Sequence, residues 1–135
     1  MFKLWRFTPS AASLFKSAKQ GDIRLVRKIL AMGIEVNVKD SRQRTPLFLA
    51  SKYGRIEVMK LLIETGADVN ATAADGRTPI FHAISTGSAA AVRLLIESGA
   101  RLDIVDSIGY SPAGYALARS QTILVELINA TRDNA

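Results

Sequence analysis

Residues 76–87 read GRTPIFHAISTG, and residues 43–54, 33 positions earlier, read QRTPLFLASKYG. A further step of 33 reaches GYSPAGYALARS at 109–120. Between 40–72 and 73–105, 12 of 33 positions are identical, among them Arg44/Arg77, Thr45/Thr78, Pro46/Pro79, Ala50/Ala83, Gly54/Gly87 and Gly66/Gly99. A fixed period of this length is the mark of stacked supersecondary units, each burying its apolar face against the next.

Each unit has a physical reading. Thr45 and Thr78 offer a hydroxyl to an unpaired N–H at a helix start. Pro46 and Pro79 follow at the first helical position, where proline forfeits no hydrogen bond. Ala50 and Ala83 are small enough for a neighbouring helix to come close. Gly54 and Gly87 can take the left-handed conformation that ends a helix. A second helix is expected over 55–65, RIEVMKLLIET, whose Ile56, Val58, Met59, Leu61, Leu62 and Ile63 cover a broad apolar face. Gly66 and Gly99 stop these second helices. The next stretch, 67–77, is short and turn-rich, with Gly76 at its bend. The expected architecture is an all-α repeat solenoid of helix–turn–helix units with projecting β-hairpin loops.

TPLFLA, TPIFHA, ETGADVN and ESGARLD resemble the ankyrin-repeat motif, and the resemblance runs over about 13–131. It implies repeats at about 13–39, 40–72, 73–105 and 106–131, behind a basic and aromatic lead segment, 1–12. Repeat one keeps Gly21, Ile29, Leu30, Gly33, Val36 and Asn37 without a Thr-Pro start. Repeat four keeps Ser111-Pro112, Ala116 and Leu127 without the glycines. Divergent end repeats suit polar caps, and Asn129, Thr131, Arg132 and Asp133 are expected to form one, closing a whole stack.

Composition narrows the function. The chain has 135 residues, no cysteine and one histidine, His82. Disulfides and thiolate metal sites are therefore excluded, and His82 has no second ligand near it. No glycine loop is set to cradle a phosphate, and no pair of acids stands at a catalytic spacing. No apolar run reaches the roughly 18 residues of a membrane span. An enzyme is not expected, nor a cofactor. By the resemblance, His82 belongs to the scaffold and borders the concave face.

Charge points to binding. The net charge is +6, and residues 1–73 hold 13 Lys/Arg against 6 Asp/Glu, while 74–135 hold 5 against 6. A basic half suits an acidic protein or nucleic acid. The resemblance implies a partner-binding face built from hairpin tips and first-helix ends. At the tips stand Arg42 and Arg44, then Asp75 and Arg77, then Ile108 and Tyr110. At the helix ends stand Lys19, then Lys52 and Tyr53, then Arg119, with His82 and Tyr115 at equivalent helix positions. Six of these are basic, and tyrosines are frequent anchors at interfaces. The expected function is a cytoplasmic, monomeric protein-interaction module for an acidic partner, in the manner of an inhibitor, immunity protein or adaptor. Nucleic-acid binding through the basic half is the alternative. The start, MFKLWRFT, reads either as a lid over the edge of repeat one or as a targeting or membrane-contacting segment.

Overall fold

The computed structural model describes residues 8–133 as eight α-helices in four antiparallel pairs. The pairs are α1 (Ala11–Gln20) with α2 (Ile23–Ala31), α3 (Pro46–Lys52) with α4 (Ile56–Glu64), α5 (Pro79–Ser85) with α6 (Ala89–Glu97), and α7 (Pro112–Ala118) with α8 (Thr122–Asp133). First helices stack on first helices, α1 on α3 on α5 on α7, and second helices likewise, α2 on α4 on α6 on α8. The reading of 1–8 as lid or targeting segment falls on residues mostly outside those described.

The 33-residue period is the period of burial. Ile29, Leu62, Leu95 and Ile128 form one column down the second helices, each 0 % exposed. Leu14, Leu47 and Ile80 form another on the first helices. Ala50, Ala83 and Ala116 are also fully buried, which lets neighbouring first helices approach closely. A second periodic device runs between repeats. The Asn37 side chain donates to Gly66 O (3.1 Å) and accepts from Asp68 N (2.7 Å). Asn70 repeats the pattern one unit on, with Gly99 O (3.1 Å) and Arg101 N (2.8 Å). Each asparagine thus satisfies two backbone groups of the next repeat, which a helical stack would otherwise leave to water.

Helix starts are capped unevenly. Thr45 Oγ1 accepts from Phe48 N (3.2 Å) and Ser111 Oγ from Gly114 N (3.1 Å). Repeat one uses Ser10 in place of Thr-Pro, in a reciprocal capping box with Ser13. Thr78, expected to cap like Thr45, makes no such bond; its hydroxyl is buried without a partner. Gly21, Gly54 and Gly87 end their helices at φ of 77°, 70° and 73°, and Ser120 takes the same left-handed role in repeat four at φ 58°.

The projecting hairpins are present as tight fingers, but no residue described is in a β-strand. Each finger is closed by two backbone bonds: Asp40 N to Arg44 O (3.0 Å) with Gln43 N to Asp40 O (2.9 Å), Ala73 N to Arg77 O (2.9 Å) with Gly76 N to Ala73 O (2.9 Å), and Asp106 N to Tyr110 O (2.9 Å) with Gly109 N to Asp106 O (3.0 Å). Five residues are too few for a ladder of paired bonds. Single backbone bonds join neighbouring fingers, Ala74 N to Arg42 O (3.1 Å) and Ser107 N to Asp75 O (3.0 Å).

The expected polar cap at the end of the stack is incomplete. Asn129 and Arg132 are exposed, and the Thr131 hydroxyl donates back to Leu127 O (3.0 Å). Leu117, however, is 69 % exposed, at the register where Ala18, Ser51 and Ile84 are buried by a following repeat.

Candidate functional site

The fingers and the ends of the first helices share one face. Two carboxylates decide how its cations are used. Asp40 Oδ1 accepts from Arg42 N and Arg44 N (both 2.9 Å), and its Oδ2 pairs with Arg44 Nε at 2.7 Å. Asp106, at the same register two repeats on, accepts from the N–H groups of Ile108, Gly109 and Tyr110 at 2.8–3.1 Å. Between them, repeat three has Ala73. Its Arg77 therefore reaches across to the next finger and pairs with Asp106 Oδ2 at 3.1 Å. Burial pushes the Asp106 carboxyl up, but the bonds from the Tyr110 N–H, the Arg77 side chain and the Gly109 and Ile108 N–H groups outweigh it and hold it below the usual carboxylate range. Asp40 is likewise pushed up by burial and held low overall by the N–H and side chain of Arg44 and the N–H of Arg42.

The basic residues expected to face a partner therefore divide. Arg44 and Arg77 are half-buried and committed to finger closure. Arg77 also lies over the Tyr115 ring, 4.5 Å from its centroid. Arg119 Nη2 donates to Ser85 O (3.1 Å), and its guanidinium lies 5.5 Å from the same ring. Tyr115 is only 8 % exposed, so it is a bearing surface between two arginines more than an open contact. Lys19, Arg42 and Lys52 are exposed and form no ion pair among the described residues. Lys19 and Lys52 flank the exposed ring of Tyr53, at 5.1 and 5.8 Å.

Arg42, Arg44, Phe48, Lys52, Asp75 and His82 meet around a groove of about 220 Å³ between the first two fingers and α3 and α5. Phe48 was missed as part of it, since its place in the repeat reads as core; it is 3 % exposed and forms the groove floor with His82. The two rings pack at 3.9 Å between centroids. His82 Nε2 is buried without a hydrogen bond. Burial pushes its pKa down to about 4; Asp75 opposes this, and Arg77, Lys52 and Arg44 add to it. His82 is neutral at pH 7 and packed against a phenyl ring. At the far end of the face, Ile108 is 73 % and Tyr110 37 % exposed. Among the described residues no cluster of three or more His, Cys, Asp or Glu could hold a metal ion, and no helix is long and apolar enough to cross a membrane.

These features define a class: a solenoid of helix pairs with fingers on one side. The family model for ankyrin repeats, which spans three copies, matches residues 14–106 and again residues 66–134. The chain belongs to the ankyrin-repeat family. Ankyrin repeats are protein–protein interaction modules, and the family is typically non-enzymatic. A search among the curated proteins gives no match.

Proposed function

We propose that the chain is a monomeric, cytoplasmic interaction module that holds an acidic partner protein through its finger face, as an inhibitor, immunity-type protein or adaptor. One observation carries the reading. Arg42 and Lys52 line the same groove, and neither is in an ion pair among the described residues. Two exposed cations held near one another by rigid elements attract a carboxylate and speed its arrival. Rigid display adds little ordering cost on binding.

The test begins with affinity capture from the native host and identification of the captured protein. Binding of that protein is then compared between the wild type and Arg42→Glu/Lys52→Glu. Arg44 is left intact, because reversing it would open the finger at Asp40. The reversal is expected to weaken binding by roughly 10- to 100-fold, mostly through slower association, with the fold unchanged. Unchanged affinity would remove this face from the function. The basic half, with 13 Lys/Arg in residues 1–73, supports nucleic-acid binding as the second reading. That reading requires affinity for mixed-sequence duplexes that falls steeply with salt.

A further inference from the structure

The repeat register puts different chemistry at equivalent places. Arg42, Asp75 and Ile108 occupy the same position of three successive fingers, 33 residues apart. The single bonds Ala74 N to Arg42 O and Ser107 N to Asp75 O tie these tips into a row in that order. Lys52 stands behind the first tip, and the corresponding helix positions further along are Ser85 and Ala118. The row therefore runs from cation, through one carboxylate, to an apolar end.

Resting on the reading just given, we infer that the partner presents a segment of two parts along this row: an acidic side chain seated between Arg42 and Lys52, and a large apolar side chain seated on Ile108 and Tyr110. The acidic part goes to the first groove because Arg42 and Lys52 line it, whereas the equivalent places further along, Asp75 and Ile108 at the tips and Ser85 and Ala118 on the helices, carry no cation. Asp75, which also lines the groove, confines the carboxylate to its Arg42 and Lys52 side. The apolar part goes to the last finger because Ile108 is largely exposed, and its neighbour Tyr110 is braced 6.1 Å from the Tyr115 ring. A braced aromatic beside an exposed aliphatic residue is a good anchor, since little side-chain freedom is lost on contact. Asp75 also argues against a polyanion. A phosphate backbone laid along the row would cross that carboxylate and then meet the exposed apolar side chain of Ile108.

The test is selection of random linear peptides displayed on phage against the full-length protein. Enriched peptides are expected to carry Asp or Glu and a large aliphatic or aromatic residue at a constant separation. For one such peptide, Arg42→Ala/Lys52→Ala should lower affinity by about tenfold, with loss of the salt dependence. Ile108→Ser should lower it by about tenfold with the salt dependence kept. Asp75→Asn should leave it unchanged or tighter. Acidic peptides enriched without a fixed apolar residue would overturn the two-part segment and leave the acidic-partner reading standing. Apolar enrichment without acids would overturn both. Displacement of the peptide by mixed-sequence DNA, stronger in Asp75→Asn than in wild type, would give the row to polyanions and overturn the inference.

Discussion

His82 sits half-buried against Phe48 at the groove, in the scaffold position bordering the concave face that the repeat motif implies. Its ring packs against Phe48 at a tilt of 48°, its Nε2 is buried without a hydrogen bond, and burial keeps the ring in its neutral form near pH 7. The same burial has a consequence for stability. The folded pKa is about 4 and the ordinary value is 6.5, so on acidification the unfolded chain takes up the proton first. The contribution is complete above pH 6.5 and is lost as the pH falls from 6.5 towards 4, at no more than about 1.4 kcal/mol per pH unit and at most about 3.4 kcal/mol in all. The groups around the ring do not cancel this: Asp75 favours the charged form, while Arg77, Lys52 and Arg44 oppose it. Asp40 and Asp106, held below the usual 3.8, give up their share only at lower pH, so the windows separate. His82→Leu, which restores the residue found at Leu49, is expected to fold, to keep its pH 7 stability to within about 1 kcal/mol, and to flatten the stability profile between pH 6.5 and 4. Urea unfolding at a series of pH values reads this directly. An acid limb as steep in the variant as in the wild type would show that His82 is not its source.

At the scale of elements, the sequence was legible wherever one residue type is nearly forced by backbone geometry or burial. The period, the Thr-Pro and Ser-Pro helix starts, the alanine column and the glycines ending α3 and α5 are of this kind. What escaped is of two sorts. Pairings across repeats depend on what is missing elsewhere: Arg77 reaches Asp106 because repeat three has Ala73, and nothing local to Arg77 says so. The other sort is a conserved backbone shape carried by an unexpected side chain. Position 120 keeps the left-handed angle of Gly21, Gly54 and Gly87 with a serine, and position 43 keeps that of Gly76 and Gly109 with a glutamine, at φ 58° and 63°. Left-handed angles cost an ordinary L-residue about 1–2 kcal/mol, and glycine forfeits about 0.5–1 kcal/mol in unfolded-state entropy. Gln43→Gly and Ser120→Gly should therefore each stabilise by about 0.5–1 kcal/mol, and the two should add, since they lie in different repeats. Chemical denaturation of both single variants and the double variant tests the sum. Destabilisation by either glycine would mean that the replaced side chain contributes more than its backbone strain costs.

For the whole molecule, the stack is a sum of repeats and interfaces, so its ends can open without its middle. The two ends of that comparison differ in burial. In α3 every residue but Lys52 is buried, whereas α7 buries only Pro112, Tyr115 and Ala116. Leu117 is largely exposed, and repeat three has Ala89 and Ala91 where repeat two has Ile56 and Val58, so the support beneath repeat four is also thinner. A groove of about 440 Å³ lies beside Ala89, bordered by Gly87 and Ile123, whereas Ala91 is fully buried away from it. Each absent methylene is worth about 0.8 kcal/mol if the site does not close in. Residues 107–131 are therefore expected to exchange amide hydrogens faster than residues 45–66. Gly114 adds a finer check. It lies outside the left-handed region, so alanine can gain helical propensity of up to about 1 kcal/mol there. An added Cβ would stand 3.3 Å from Ser111 Oγ, the hydroxyl that caps the helix through Gly114 N. The equivalent contact is accommodated in repeat two, where Phe48 carries a Cβ and Thr45 still caps its N–H. Gly114→Ala should slow exchange across α7 and α8 by less than the full propensity gain, and leave 45–66 unchanged. Native-state hydrogen exchange read repeat by repeat decides the matter. Protection over 107–131 equal to that over 45–66 would mean that the stack opens as one cooperative unit, and that the interface between the last two repeats makes good the burial the last repeat lacks.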